Sequence, residues 1–178
     1  MHSKINQLRV VLLLTSFCFI NTIAFCQVNF EDKFLKTQED IAFTTNYTTV
    51  VSYMKDKNYT LKSKEEEEGK VFFIFEGSFK QLVIVAYSKN KELFLVKSNL
   101  LALNLVFAQM EMKNKEFKIL SSVNEEFEGN KWVDIIWAKK GYKYQFQIED
   151  NGEKISWVYL LSADAQIEYN QDSKSVAP

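Results

Sequence analysis

Residues 141–161 read GYKYQFQIEDNGEKISWVYLL. Tyr142, Tyr144, Phe146 and Ile148 alternate with Lys143, Gln145 and Gln147, the two-residue period of a strand with one face in the core and the other in water. Asn151-Gly152 follows, a pair that accepts the positive φ of a type I′ turn and so predicts a tight hairpin. Beyond it, Ile155, Trp157, Tyr159 and Leu161 alternate with Ser156, Val158 and Leu160. Two strands over Gly141–Glu149 and Lys154–Leu161, joined by so short a turn, must run antiparallel.

Upstream of this hairpin the same signals recur. Strands are predicted over Glu116–Ser122 and Lys131–Trp137, the latter crowding Trp132, Ile135 and Trp137 around Asp134. A helix precedes them from about Asn99 to Asn114, with Ser98 or Asn99 as its cap. Four earlier strands are expected over Tyr59–Ser63, Lys70–Glu76, Phe79–Ser88 and Glu92–Lys97, separated by turns at Glu65–Gly69, Gly77 and Lys89-Asn90. Between Phe30 and Lys57, Tyr47, Val50, Val51 and Met54 fall on one helical face. Phe34, Leu35 and Ile41 belong to a preceding turn or short helix. The β-branched residues among Thr44–Thr49 weaken helix at that point, because they lose rotamer freedom there.

The chain therefore predicts an α+β fold in which a helix and four antiparallel strands occur twice, about residues 30–97 and 98–162, within one domain over 27–170. Met54-Lys-Asp-Lys-Asn-Tyr-Thr-Leu61 parallels Met112-Lys-Asn-Lys-Glu-Phe-Lys-Ile119, and Glu65-Glu-Glu-Glu-Gly69 parallels Glu125-Glu-Phe-Glu-Gly129, each at an offset near 60 residues. This order of elements resembles that of the β-lactamase inhibitor protein family and, more loosely, the PepSY domains of exported bacterial proteins. The resemblance implies a curved antiparallel sheet with helices packed on one face and a concave face free to hold a partner. It covers element order and carries over no functional residue.

The first 26 residues have another character. Lys4 and Arg9 precede an apolar run, Val10–Ile20, and Ala24-Phe25-Cys26 reads as a cleavage site, so a secretory signal peptide is expected, with the mature chain starting at Gln27. The run is too short to span a bilayer, and no transmembrane span is expected elsewhere. Such cleavage removes both cysteines, Cys18 and Cys26, the single histidine, His2, and the single arginine, Arg9. It leaves 20 lysines against 23 acids, a net charge near −3. The expected location is secreted or periplasmic. The residues 171–178 read as a flexible polar tail.

That composition excludes several chemistries. Without histidine or cysteine, a Ser-His-Asp or Cys-His centre cannot form, and zinc, copper and haem lose their usual ligands. Dispersed lysines and no arginine argue against nucleic acid as a partner, and no phosphate loop occurs, so no cofactor or metal is expected. The acids of Glu65–Glu68 could bind calcium only by converging with Glu125, Glu126 and Glu128. Glu76 and Asp134 are conceivable members of a two-carboxylate hydrolytic site.

The rings of Trp132, Trp137, Tyr142, Tyr144, Trp157 and Tyr159 have two readings. They fill the core beneath the helices, or they line a face that takes a protein, peptide or glycan outside the cytoplasm. The helix carrying Leu100–Met112 is apolar nearly all round, which suits either a central helix buried on two sides or a surface for homo-oligomer formation. The function expected is a non-catalytic exported binding module. The alternatives are a carboxylate-dependent, glycosidase-like hydrolase and a carrier of an apolar ligand.

Overall fold

The structure, a computed structural model, describes residues 27–127, 129–152 and 154–168. The predicted signal peptide with His2, Arg9, Cys18 and Cys26, the tail 171–178, and Glu128 lie outside the described residues.

Three helices, α1 (Lys33–Thr44), α2 (Val50–Asp56) and α3 (Ala102–Asn114), cover an eight-stranded antiparallel sheet. Its strands are β1 (Thr60–Glu67), β2 (Lys70–Glu76), β3 (Leu82–Tyr87), β4 (Leu93–Leu101), β5 (Lys118–Phe127), β6 (Asn130–Ala138), β7 (Gln145–Asp150) and β8 (Ile155–Leu161). The spatial order is β1-β2-β3-β4-β8-β7-β6-β5. Two four-stranded meanders thus meet at their last strands, β4 and β8, and leave β1 and β5 as the edges.

The helix expected across Phe30–Lys57 is two helices, and the break falls in the threonine-rich stretch. Asp32 caps α1 by accepting from the N–H groups of Phe34 (2.9 Å) and Leu35 (3.0 Å). After α1, the Asn46 side chain accepts from the N–H groups of Thr48 and Thr49 and re-aims the chain into α2. The helix expected from Asn99 starts only at Ala102, because residues Ser98–Leu101 continue β4 in register with Val158–Ile155. Pairing with a central strand satisfies those backbone groups where a first helical turn would leave them open. The turn expected at Asn151-Gly152 is a four-residue connection, with positive φ at Gly152 (72°) and its N–H donating to Asp150 Oδ1. Tyr142 and Tyr144 precede β7, whose first residue is Gln145.

The helix-side face of the sheet forms the main core. Phe73 and Phe75, Val83 and Val85, Val96 and Leu100, Phe146 and Ile148, and Val158 and Leu160 pack there against Leu35, Ile41, Met54, Ala108 and Met112. On the opposite face a smaller cluster joins Ala86, Phe94, Leu95, Tyr159 and Leu161 to Ala165. Ala165 lies on α4, a short helix over 163–168 that crosses to this side of the sheet. Ser162 caps α4, and Lys70 pairs with Glu168 at 2.7 Å while lying over the Phe94 ring.

The two halves repeat their local geometry. Positive φ falls on Asn58 (65°) and Glu116 (67°), just after α2 and α3, and the next N–H, of Tyr59 or Phe117, returns to Met54 or Met112 at 2.9 Å. A bulge follows in each, between Leu61 and Ser63 and between Ile119 and Ser121. The first hairpin turns then use Gly69 (75°) and Gly129 (81°), conformations that a Cβ would strain.

Among the described residues no helix is long and apolar enough to cross a membrane.

Candidate functional site: a cleft on the open sheet face

The antiparallel register arranges the side chains of the face opposite α1–α3 in rows that cross the strands. Val123, Asp134, Glu149, Trp157 and Asn99 are successive partners on β5, β6, β7, β8 and β4. The neighbouring row runs Ser121, Ile136, Gln147, Tyr159 and Lys97. Over the β5–β8 half these rows floor a cleft of about 930 Å³, lined also by Trp132, Ile155 and Gln166 of α4.

Asp134 is the central polar group. Its Oδ2 accepts from Gln147 Nε2 at 2.9 Å, while its buried Oδ1 has no hydrogen-bond partner among the described residues. Burial disfavours the carboxylate form, and Glu149 and Glu125 add like charge. Together these outweigh the Gln147 bond and push the Asp134 pKa up to about 6. Glu149, its cross-strand neighbour, accepts from the Tyr159 hydroxyl. Lys97 lies over Trp157 (4.4 Å) and Tyr159 (4.5 Å), and loss of solvent lowers its pKa although Glu149 opposes that shift.

The raised pKa has a measurable consequence. The folded state prefers protonated Asp134 more than the unfolded chain does, so stability from this group is greatest at low pH and is lost as pH rises from about 4 to about 6. Asp134→Asn is expected to stabilise the protein by about 1 kcal/mol at pH 7.5, a value discounted from the full shift because the side chain is partly solvated. The gain should vanish near pH 4. Denaturant unfolding at both pH values checks this, and an equal effect at the two would contradict it.

The six rings read from the sequence divide between the two faces. Trp132, Trp157 and Tyr159 lie on the open face, where the first two line the cleft and Tyr159 is buried in the smaller cluster. Trp137, Tyr142 and Tyr144 are buried on the helix side, where Tyr142 and Tyr144 pack against Phe43 and the Tyr144 hydroxyl donates to the Ala42 carbonyl. The polar floor, Gln147 and Glu149, was not singled out by sequence reasoning. Its signal was present: both alternate with Phe146 and Ile148, and so share a face.

The carboxylate groupings conceived from sequence do not come together. Glu76 on β2 and Asp134 on β6 have four strands between them, on the order of 24 Å at normal strand spacing, and Glu76 pairs instead with Lys62 at 3.1 Å. The glutamates of Glu65–Glu67 and Glu125 lie on β1 and β5, opposite edges of the sheet. Among the described residues no three His, Cys, Asp or Glu side chains gather to hold a metal ion.

The chain matches no protein-family model, no curated protein and no solved structure.

Proposed function

We propose that this chain is an exported, non-catalytic binding module whose open sheet face takes a polar ring-containing ligand, a glycan segment, in the cleft between Trp132 and Trp157. The observation that carries this reading is that two indoles, Trp132 and Trp157, line one cleft with fixed acceptors and an amide, Asp134, Glu149 and Gln147. Sugar rings offer apolar faces to stack on indoles and hydroxyls to donate to carboxylates, and a cleft of this volume suits a few such rings. Gln147 and Tyr159 hold the two carboxylates in place, so little order is lost on binding. The export half of the reading rests on the N-terminal pattern of charge, apolar run and small-residue site.

The two halves are copies of one unit in this reading. Its support is the shared helix exit, bulge and glycine turn, each recurring at an offset of 58 to 60 residues. The β1–β4 copy has its open face occupied by Phe72, Phe94 and α4, which leaves the β5–β8 copy to bind.

Tryptophan fluorescence of the secreted protein, titrated with a panel of neutral and acidic oligosaccharides, tests the proposal. At least one should bind, and Trp157→Ala, in protein that circular dichroism shows to be folded, should weaken it by about 30-fold or more. Failure of every oligosaccharide to bind at millimolar concentration would sink the reading.

A second reading has one specific observation in its favour. Asp134 and Glu149 are direct cross-strand partners, an arrangement that holds Cβ atoms about 5 Å apart. With one pKa raised, they resemble the acid and nucleophile of a retaining glycosidase. Glu149→Gln separates the two: it should abolish hydrolysis but leave binding within a few-fold.

A further inference from the structure

Among the described residues, eight of the twelve exposed large hydrophobics fall between Leu101 and Val123, the stretch from the end of β4 through α3 into edge strand β5. A central helix buried on two sides was one expectation for α3, and the structure corrects it. Leu105, Ala108 and Met112 alone face the core. On the outer side Leu103 (66 % exposed), Val106 (50 %), Phe107 (53 %) and Met110 (56 %) follow the 3, 4 and 7 spacing of a second apolar stripe. A helix apolar on both sides has one stripe left without a partner.

We infer that the outer stripe of α3, continued by Ile119 at the β5 edge, is the contact surface between two copies of this chain. Three observations select a second copy. First, the four stripe residues and Ile119 leave roughly 100 Å² each open, so two copies that cover them fully would bury about 1,000 Å² together, the lower limit of a specific contact. Second, residues 102–110 carry no charge. Two identical stripes can therefore pack across a two-fold axis without like-charge repulsion, despite the net negative charge of the chain. Third, the edges differ: β1 is guarded by Lys62, Lys64, Glu65, Glu66 and Glu67, whereas residues 119–124 of β5 carry no charge and expose Ile119 and Leu120. Ile119 pairs with Trp137, whose ring is in the helix-side core, so it faces the same side of the sheet as α3.

The chain's own ends are poorer occupants. Ala165 packs on the opposite face, so the last described residues lie on the side away from α3. The run Val10–Ile20 is the other apolar segment, and secretion with cleavage removes it in the reading above. A dimer through α3 leaves both clefts open on the outer faces, which would give two-site avidity for a repeating ligand.

Sedimentation velocity of the secreted protein, from about 1 to 100 µM, reads the outcome. The expected result is a dimer with dissociation constant in the micromolar range, weakened about 30-fold or more by Phe107→Glu. Leu103→Glu should act likewise, and both variants should keep their circular dichroism and thermal midpoint, since neither side chain is buried. A wild-type monomer at 100 µM would overturn the inference, as would a dimer that both variants leave intact. Oligosaccharide binding by the monomeric variants keeps this test separate from that of the cleft.

Discussion

Glu39→Ala is expected to cost about 3–5 kcal/mol of folding stability. Glu39 is fully buried in α1, and its two oxygens accept from the N–H groups of Val28 (2.5 Å) and Phe30 (3.1 Å). The Tyr142 hydroxyl reaches Oε1 at 3.5 Å, and burial together with this carboxylate raises the ionisation of that phenol well above its usual range. Alanine would leave those donors buried and unpaired, each costing about 1–3 kcal/mol. It would also free residues 28–30 and with them the Phe30 ring, which is 2 % exposed and packs on Phe117 and Phe146. Glu111 supports the same segment through Glu31 and Asp32 and would keep part of it in place. Glu39→Gln should cost roughly half as much, because it retains shape and one acceptor. Urea unfolding at pH 7 measures both, and a loss under about 1 kcal/mol for alanine would refute this account of the N-terminal anchor.

Phe146→Ala should cost a comparable 3–5 kcal/mol by a different route. The ring is fully buried on the helix side of β7 and meets Phe30 (5.6 Å), Phe117 (5.5 Å) and Tyr142 (6.2 Å). Removing it deletes a large apolar surface and leaves a cavity that a sheet fixed on both sides by β6 and β8 cannot close. Phe146→Leu should lose only about 1–2 kcal/mol. Since Glu39→Ala and Phe146→Ala both act on Phe30, their double variant should lose less than the sum. Strict additivity in equilibrium unfolding would show that the two sites are uncoupled.

Much of the scaffold was legible in the chain. Period-two alternation places β6, β7 and β8 near their observed positions, and the threonine run marks where α1 and α2 part. These are local effects, set by side-chain direction and rotamer freedom. Part of the site was legible too. Trp132 and Trp137 are an odd number of residues apart on one strand, so they must face opposite sides, and the structure has one in the cleft and the other in the core. The start of α3 was not legible, because Ser98–Leu101 suits a helix cap locally and becomes strand only when β8 lies beside it.

Residue order by itself determined the antiparallel strands and the division of each strand into two faces. Tertiary structure alone decided which face the helices cover, and hence that Trp157 borders solvent while Tyr142 is core. It also paired Asp134 with Glu149 and left the outer stripe of α3 bare. The reason is physical: alternation and helical period are properties of a chain with itself, whereas burial, register and a shifted pKa depend on which distant segment arrives alongside.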